Sequence, residues 1–267
     1  MISFCFFYLI WLIKEMFSKK DYYHRLSKFL AYSGISSRRQ SESLITSGQI
    51  SVNGIVVTSV SQKVSPKDVV RYNGKKILYK SKPRIWIYHK PVGELCSDFD
   101  PSGKKTVFDS FPKKIGKVNL VGRLDLNSEG LLLLTNKGYI KRYLELPKNK
   151  IIRTYLVKTW GKDLNAKNIE EMSRGVEISE FKYAPLKIEI VSKNNNNNWY
   201  NIKLIEGKNR EIRKILGYFG LKVKKLIRIG YGEFFLKNQK VREVLEVPIP
   251  KSLLYNAKKD WPIKIRW

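Results

Sequence analysis

Leu131 to Leu134 form an unbroken apolar run. A run of that kind, without alternation, reads as a strand buried on both faces, and such a strand needs a sheet covered from both sides. The glycine-bounded string Gly122-Arg-Leu-Asp-Leu-Asn-Ser-Glu-Gly130 leads straight into it. Asp125 is thereby set in a loop at the mouth of a core, where a carboxylate is held rigidly and a reactive group belongs. The alternation of Asp125, Asn127 and Glu129 ahead of Gly130 also suggests a calcium loop. That reading fails, because the position needing a bidentate glutamate is Asn136 and the leucine run is a strand. From the residues alone, Asp125 is equally a catalytic carboxylate or a structural one that ties down its loop.

The elements around this loop alternate in type. Arg84 to His89 reads as a strand ended by Lys90-Pro91, and Gly138 to Leu146 as a helix stopped before Pro147. Further strands are expected at Ile151–Thr159, Leu186–Val191, Tyr200–Ile205 and Leu221–Ile229, with helices at Leu164–Ser173 and Glu211–Tyr218. The Asn194 to Asn198 run is expected to be a surface loop, and Glu129 an exposed turn residue. Several strands around few helices predict an α+β domain with a mainly antiparallel sheet.

Upstream lies a smaller unit. Leu26, Phe29 and Leu30 repeat at helical spacing up to Gly34. Ser36 or Ser37 caps a second helix through Arg38, Arg39, Leu44 and Ile45, which Gly48 ends. Strands near Gln49–Val52 and Val69–Tyr72 each meet an Asn-Gly turn, at Asn53-Gly54 and Asn73-Gly74.

Charge narrows the partners. The chain has 267 residues with 52 Lys+Arg against 23 Asp+Glu, a formal charge of +29. The excess runs along the whole sequence, so the folded surface itself is basic and calls for a polyanion. A lysine-rich proteome explains Lys over Arg and the Asn run, but it should raise acidic residues equally. The two cysteines, Cys5 and Cys96, and two histidines, His24 and His89, have no metal-ligand spacing. No metal site and no disulfide framework are expected, and a reducing cytoplasm is the default compartment. Catalysis has to rest on Asp, Glu, Tyr, Ser or basic side chains. Met1 to Ile13 is apolar and aromatic but shorter than the ~20 residues that span a bilayer. It lacks a basic n-region and a cleavage site, so an upstream start with Met16 opening the functional chain is preferred to a membrane anchor.

Two resemblances organise these readings. Arg25-Leu-Ser-Lys-Phe-Leu, Gly34-Ile-Ser-Ser-Arg-Arg and Gly48-Gln-Ile-Ser-Val-Asn-Gly54 resemble the S4 RNA-binding domain. Gly122-Arg-Leu-Asp125 resembles the G-R-L-D motif of the pseudouridine synthases, in the RsuA/RluB branch that pairs an S4 domain with the catalytic domain. Lys90-Pro-Val-Gly-Glu-Leu-Cys96, Arg153-Thr-Tyr-Leu-Val157, Glu206-Gly-Lys-Asn-Arg-Glu-Ile-Arg213 and Leu226-Ile-Arg-Ile-Gly-Tyr-Gly232 resemble further segments of that branch, in order. Position 137 is Lys where the branch more often has an acidic residue. The organisation implied is an apolar extension at 1–22, an S4 domain at 23–76, a linker at 77–83, a catalytic domain at 84–250 and a basic tail at 251–267.

The resemblance implies an isomerase that converts a uridine of ribosomal RNA to pseudouridine without a cofactor. Asp125 is its nucleophile or essential carboxylate, Tyr155 stacks on the target base, and Arg213 pairs with Asp125. Leu226 and Arg123 line the uracil pocket. Arg25, Lys28, Arg38 and Arg39, with Lys208, Arg210 and Arg228, are placed as RNA contacts. Either attack on C1′ or removal of a ribose proton fits this set, and both require a flipped nucleotide. The Gly93-Glu-Leu-Cys96 loop looks more like the large-subunit (23S) branch than the small-subunit (16S) one. A monomer is expected, and the competing reading is a non-catalytic S4-domain ribosome-assembly protein.

Overall fold

The computed structural model describes residues 24–259 apart from 66, 78–81, 162, 195 and 196. The expectations for the extension at 1–22, for Met16 as a start and for the end of the tail at 260–267 lie outside the described residues. The chain divides between Lys82 and Pro83 into two compact units.

In the first unit β1 (His24–Arg25) runs into α1 (Leu26–Tyr32), and α2 (Arg38–Thr46) follows. Ser37 caps α2: its hydroxyl accepts from the Gln40 N–H at 3.2 Å while the Gln40 side chain accepts from the Ser37 N–H at 3.1 Å. Strands β2 (Ile50–Val52), β3 (Ile55–Val56), β4 (Lys63–Val64), β5 (Val70–Tyr72) and β6 (Lys75–Lys76) complete the unit. β4 pairs with β1, and the others form a sheet in the order β3-β2-β5-β6. The β2–β3 hairpin turns on Asn53 and Gly54, both at positive φ (52° and 88°), the conformation a two-residue hairpin requires. Leu26, Leu30, Ile45, Ile50 and Val70 fill the core. Ile77 joins it, so the first residue of the expected linker belongs to this fold.

The second unit is built on one sheet. Its strands are β7 (Ile85–Lys90), β8 (Asn119–Val121), β9 (Glu129–Thr135), β10 (Arg153–Trp160), β13 (Lys187–Ser192), β14 (Asn197–Leu204), β15 (Lys222–Tyr231), β16 (Phe234–Phe235) and β17 (Val244–Val247). The order is β13-β14-β10-β15-β9-β7-β17, with β16 on β15 and β8 on β9. Only β15 and β9 run parallel; the rest is antiparallel, as the sequence predicts. A small hairpin of β11 (Val176–Ile178) and β12 (Phe181–Tyr183) stands apart. The helices are α3 (Gly138–Glu145), α4 (Ala166–Arg174), α5 (Glu211–Tyr218) and α6 (Lys251–Lys259).

Leu131 to Leu134 are fully buried, as an unalternating run requires. Leu131 and Leu133 face Ile140 and Leu144 of α3 and Leu253 and Ala257 of α6, while Leu132 and Leu134 face Val107 and Val118. Tyr155, Val157, Tyr200 and Ile202 pack against α4 and α5.

Three expectations are corrected. Asn197 and Asn198 open β14 rather than lie in a loop, and buried Asn198 donates to Asp163 Oδ1 at 2.5 Å, which satisfies its amide. Glu129 opens β9 instead of sitting exposed in a turn; its carboxylate meets His89 Nε2 and Lys225 Nζ, each at 3.3 Å. The expected basic tail begins as α6, whose Leu253 and Ala257 are buried in the second core.

Candidate active site

The Gly122–Gly130 loop is shaped by its main chain. Ser128 N–H donates to the Asp125 carbonyl at 3.0 Å, closing a tight turn, and Gly93 N–H donates to the Leu126 carbonyl at 2.8 Å. Gly130 (φ 112°) lies against the Arg228 backbone where β9 starts its parallel pairing with β15. A Cβ there would stand 2.7 Å from Arg228 N and closer still to its carbonyl oxygen, so only glycine lets the strands meet.

Three cationic side chains grip the carbonyls of this loop. Lys90 is fully buried at the end of β7, and its Nζ donates to Pro91 O (2.8 Å), Ser128 O (2.9 Å) and Asp125 O (3.2 Å). Burial lowers its pKa, while Cys96, Glu94 and Asp125 act to raise it. Arg228, only 2% exposed, donates from Nε to Leu131 O at 2.7 Å and from Nη1 to Arg123 O at 3.4 Å. Arg213 on α5 donates from Nη2 to Asn127 O at 2.8 Å and from Nη1 to Val223 O at 3.3 Å. Burial and then Arg210 lower the Arg213 pKa, and the Asp125 charge raises it.

The expected pairing of Arg213 with Asp125 is therefore not a direct ion pair. The guanidinium holds the main chain two residues on and meets the carboxylate through space. Among the described residues, no hydrogen bond or ion pair reaches the half-buried Asp125 carboxylate. Its backbone is fixed and its carboxylate is left open.

Leu124 of the loop, Tyr155 of β10 and Leu226 of β15 share one buried cluster, with Cys96 against it. Tyr155 and Arg228 are direct cross-strand partners, as are Val157 and Leu226. The structure thus brings Asp125, Tyr155, Arg213 and Leu226 to one region of the sheet. Arg123 is exposed beside it.

Two carboxyls support the helix that carries Arg213. Glu211 opens α5 at 4% exposure, and its Oε2 accepts from Lys208 N–H at 2.9 Å. Burial and contact with Glu206 push its pKa up to about 8, so it holds a proton at neutral pH. Glu206 accepts from Ala184 N–H at 2.6 Å and pairs with Lys208 at 3.0 Å. In the segment that follows β7, buried Glu94 accepts from Tyr88 Oη (2.5 Å), Ser110 Oγ (2.8 Å) and Arg242 Nε (3.2 Å). Burial acts to raise its pKa, and these bonds outweigh it and lower the pKa.

The basic residues divide. Arg25, Arg38, Arg39 and Arg210 are exposed and Lys28 is half-buried; Arg38 pairs with Glu42 at 3.9 Å. Lys208 is engaged with Glu206 and the Lys182 carbonyl. Arg228 is corrected outright, because a residue buried at 2% under the loop contacts no phosphate. Sequence reasoning also missed Lys90. The signal was present: a lysine closing Ile85-Trp-Ile-Tyr-His, too apolar a strand for a solvated ammonium.

An unpaired carboxylate on a tightly held main chain, in a chain this basic, suits an enzyme that works on RNA. Residues 84–217 match the RNA pseudouridylate synthase family and residues 24–70 the S4 domain. An uncharacterized RNA pseudouridine synthase of Rickettsia felis is 46% identical over 81% of this chain and 93% of its own length. The ribosomal large subunit pseudouridine synthase B of Salmonella typhi is 37% identical over 86% of this chain and 76% of its own. A crystal structure of a pseudouridylate synthase matches with a TM-score of 0.61 at 25% identity, covering 87% of this chain and 99% of that one. The chain belongs to the RNA pseudouridylate synthase family, in its S4-bearing RsuA/RluB branch, and is an isomerase acting on RNA uridine.

Proposed function

We propose that this enzyme isomerises a uridine of large-subunit ribosomal RNA, with Asp125 as the essential carboxylate. The observation that carries the reading is the contrast within the loop: every restraint falls on the main chain and the Asp125 carboxylate is left unpaired. The similarity to a protein named for the large ribosomal subunit supports the choice of RNA.

Isomerisation breaks the N1–C1′ bond, turns the uracil and joins C5 to C1′; the C5 proton is lost and N1 gains one. The Asp125 carboxylate acts at the ribose, at C1′ or on a ribose proton. Tyr155 offers its ring to the displaced base, and Leu226 and Arg123 line the uracil pocket. Arg213 sets the loop and supplies positive charge near the carboxylate. The S4 domain at 23–76 docks on nearby RNA through Arg25, Lys28, Arg38 and Arg39, with Arg210 adding phosphate contacts from the catalytic domain. The linker begins after Ile77 and runs to 83, and the enzyme works as a monomer in a reducing cytoplasm.

The test is pseudouridine formation by wild-type and Asp125→Asn protein on purified large- and small-subunit rRNA, with RNA binding followed in parallel. Wild-type activity on the large subunit, lost in the variant while binding persists, is expected. Activity confined to the small subunit overturns the substrate, and binding without activity on either RNA moves the protein to ribosome assembly.

A further inference from the structure

The sheet of the second unit is covered unevenly. On its β7–β9 half both faces are packed, one by α3 and α6 and the other by Val107 and Val118. On the β15-β10-β14-β13 half, α4 and α5 cover the face that carries Tyr155. The opposite face carries Leu156, Lys158 and Trp160 on β10, cross-strand from Asn201, Trp199 and Asn197 on β14. None of these side chains belongs to a buried cluster. Trp160 is 51% exposed, an unusual cost for an indole on the surface of a sheet.

The charge of this face is one-sided. Lys225 and Lys222 of β15 stand cross-strand from Lys158 and Trp160. Lys158 Nζ lies 5.9 Å from the centroid of the Trp199 ring, and Lys224 Nζ lies 5.8 Å from that of Trp160. The acidic residues here are already engaged: Glu189 with Lys187 (2.9 Å) and Lys203 (3.8 Å), and Glu129 with Lys225. Among the described residues, no acidic side chain pairs with Lys158, Lys222 or Lys224.

We propose that this open, lysine- and tryptophan-bearing sheet face is a second RNA-binding surface, on the side of the sheet away from Asp125, and that it takes a single-stranded segment of the ribosomal RNA. The proposal rests on RNA as the substrate, whichever subunit supplies it. Charge complementarity selects the partner: unpaired ammonium groups bind phosphates, and flat rings beside them stack on unpaired bases without reading sequence. A four-stranded sheet of this width accommodates two or three stacked bases. A second strand of contact, opposite the catalytic face, lets the enzyme hold RNA that flanks the target while the target nucleotide is displaced.

The test compares full-length wild type with Trp160→Ala and with the triple variant Lys158→Gln/Lys222→Gln/Lys224→Gln. Binding to oligo(U) and to purified large- and small-subunit rRNA is titrated over a range of salt, with thermal unfolding confirming the fold. The triple variant is expected to flatten the slope of log K against log salt by about 2, since each phosphate contact on a single strand contributes ~0.7. Trp160→Ala is expected to weaken oligo(U) binding roughly 5- to 150-fold. Unchanged slope and affinity in both variants overturn the surface. So does a wild-type dimer, seen by sedimentation, that Trp160→Ala dissociates, because a second copy then covers the face. The binding readout does not need catalysis. Inactivity on both rRNAs with a flattened slope removes the proposed reaction and leaves the surface standing.

Discussion

At the scale of single residues, the site is held by donors that reach carbonyl oxygens. Lys90 is the most exacting, since its ammonium is buried and serves Pro91, Asp125 and Ser128 together. Lys90→Met leaves these acceptors short of a donor, for a loss of about 1–3 kcal/mol in stability. Steady-state kinetics should show a lower kcat with little change in KM, because the loop moves and the RNA surface does not. A wild-type kcat would show that the turn holds itself. Glu211 makes a different expectation. Its folded pKa is pushed up to about 8, against the ordinary glutamate value of 4.5. Between those values the folded state holds a proton that the unfolded state has lost. Its stabilising contribution, complete at low pH, therefore falls as pH rises through this window and levels off above it. Glu211→Gln keeps the neutral shape and should remove the slope, so the variant is the more stable protein at pH 9 and the gap closes toward acid. Parallel stability–pH curves for the two proteins would place the proton elsewhere.

At the scale of elements, legibility followed locality. α5 runs over Glu211–Tyr218 as its spacing predicts, and the Ser37 cap and the Asn-Gly turn at Asn53-Gly54 are local signals that nothing distant overrode. β17 was not legible. Its Val244 and Val247 are half-buried and its Leu245 and Glu246 exposed, and the partner that makes them a strand, β7, lies far away in sequence. The same limit hid the fate of Arg228: a lone arginine in an alternating strand reads as solvated until the carbonyls of Leu131 and Arg123 arrive from another part of the chain. Lysine content disguised α6, although Leu253, Leu254 and Ala257 lie on one helical stripe. The Asp125 loop was legible as a location but not as a mechanism of restraint, since its grips come from β7, β15 and α5. Because α6 closes the core over Ile85 and Leu133, Leu253→Ala should cost about 2–5 kcal/mol in thermal unfolding. An unchanged unfolding temperature would mean that α6 contributes nothing to the core.

At the scale of the whole molecule, the +29 charge should dominate association with RNA. Binding to ribosomal RNA is expected to weaken about 10³-fold or more between 50 and 200 mM salt, as when roughly six phosphates are neutralised. A near-flat salt dependence would assign the charge to solubility instead. The carbonyl grip on the Asp125 loop has a further reach. What Lys90, Arg213 and Arg228 hold is common to every amino acid, so the side chains at Leu126 and Asn127 are not what keeps Asp125 in place. Descendants can rewrite Leu126 and Asn127 while the loop keeps its place, and lineages sharing one chemistry are free to drift toward marking different nucleotides.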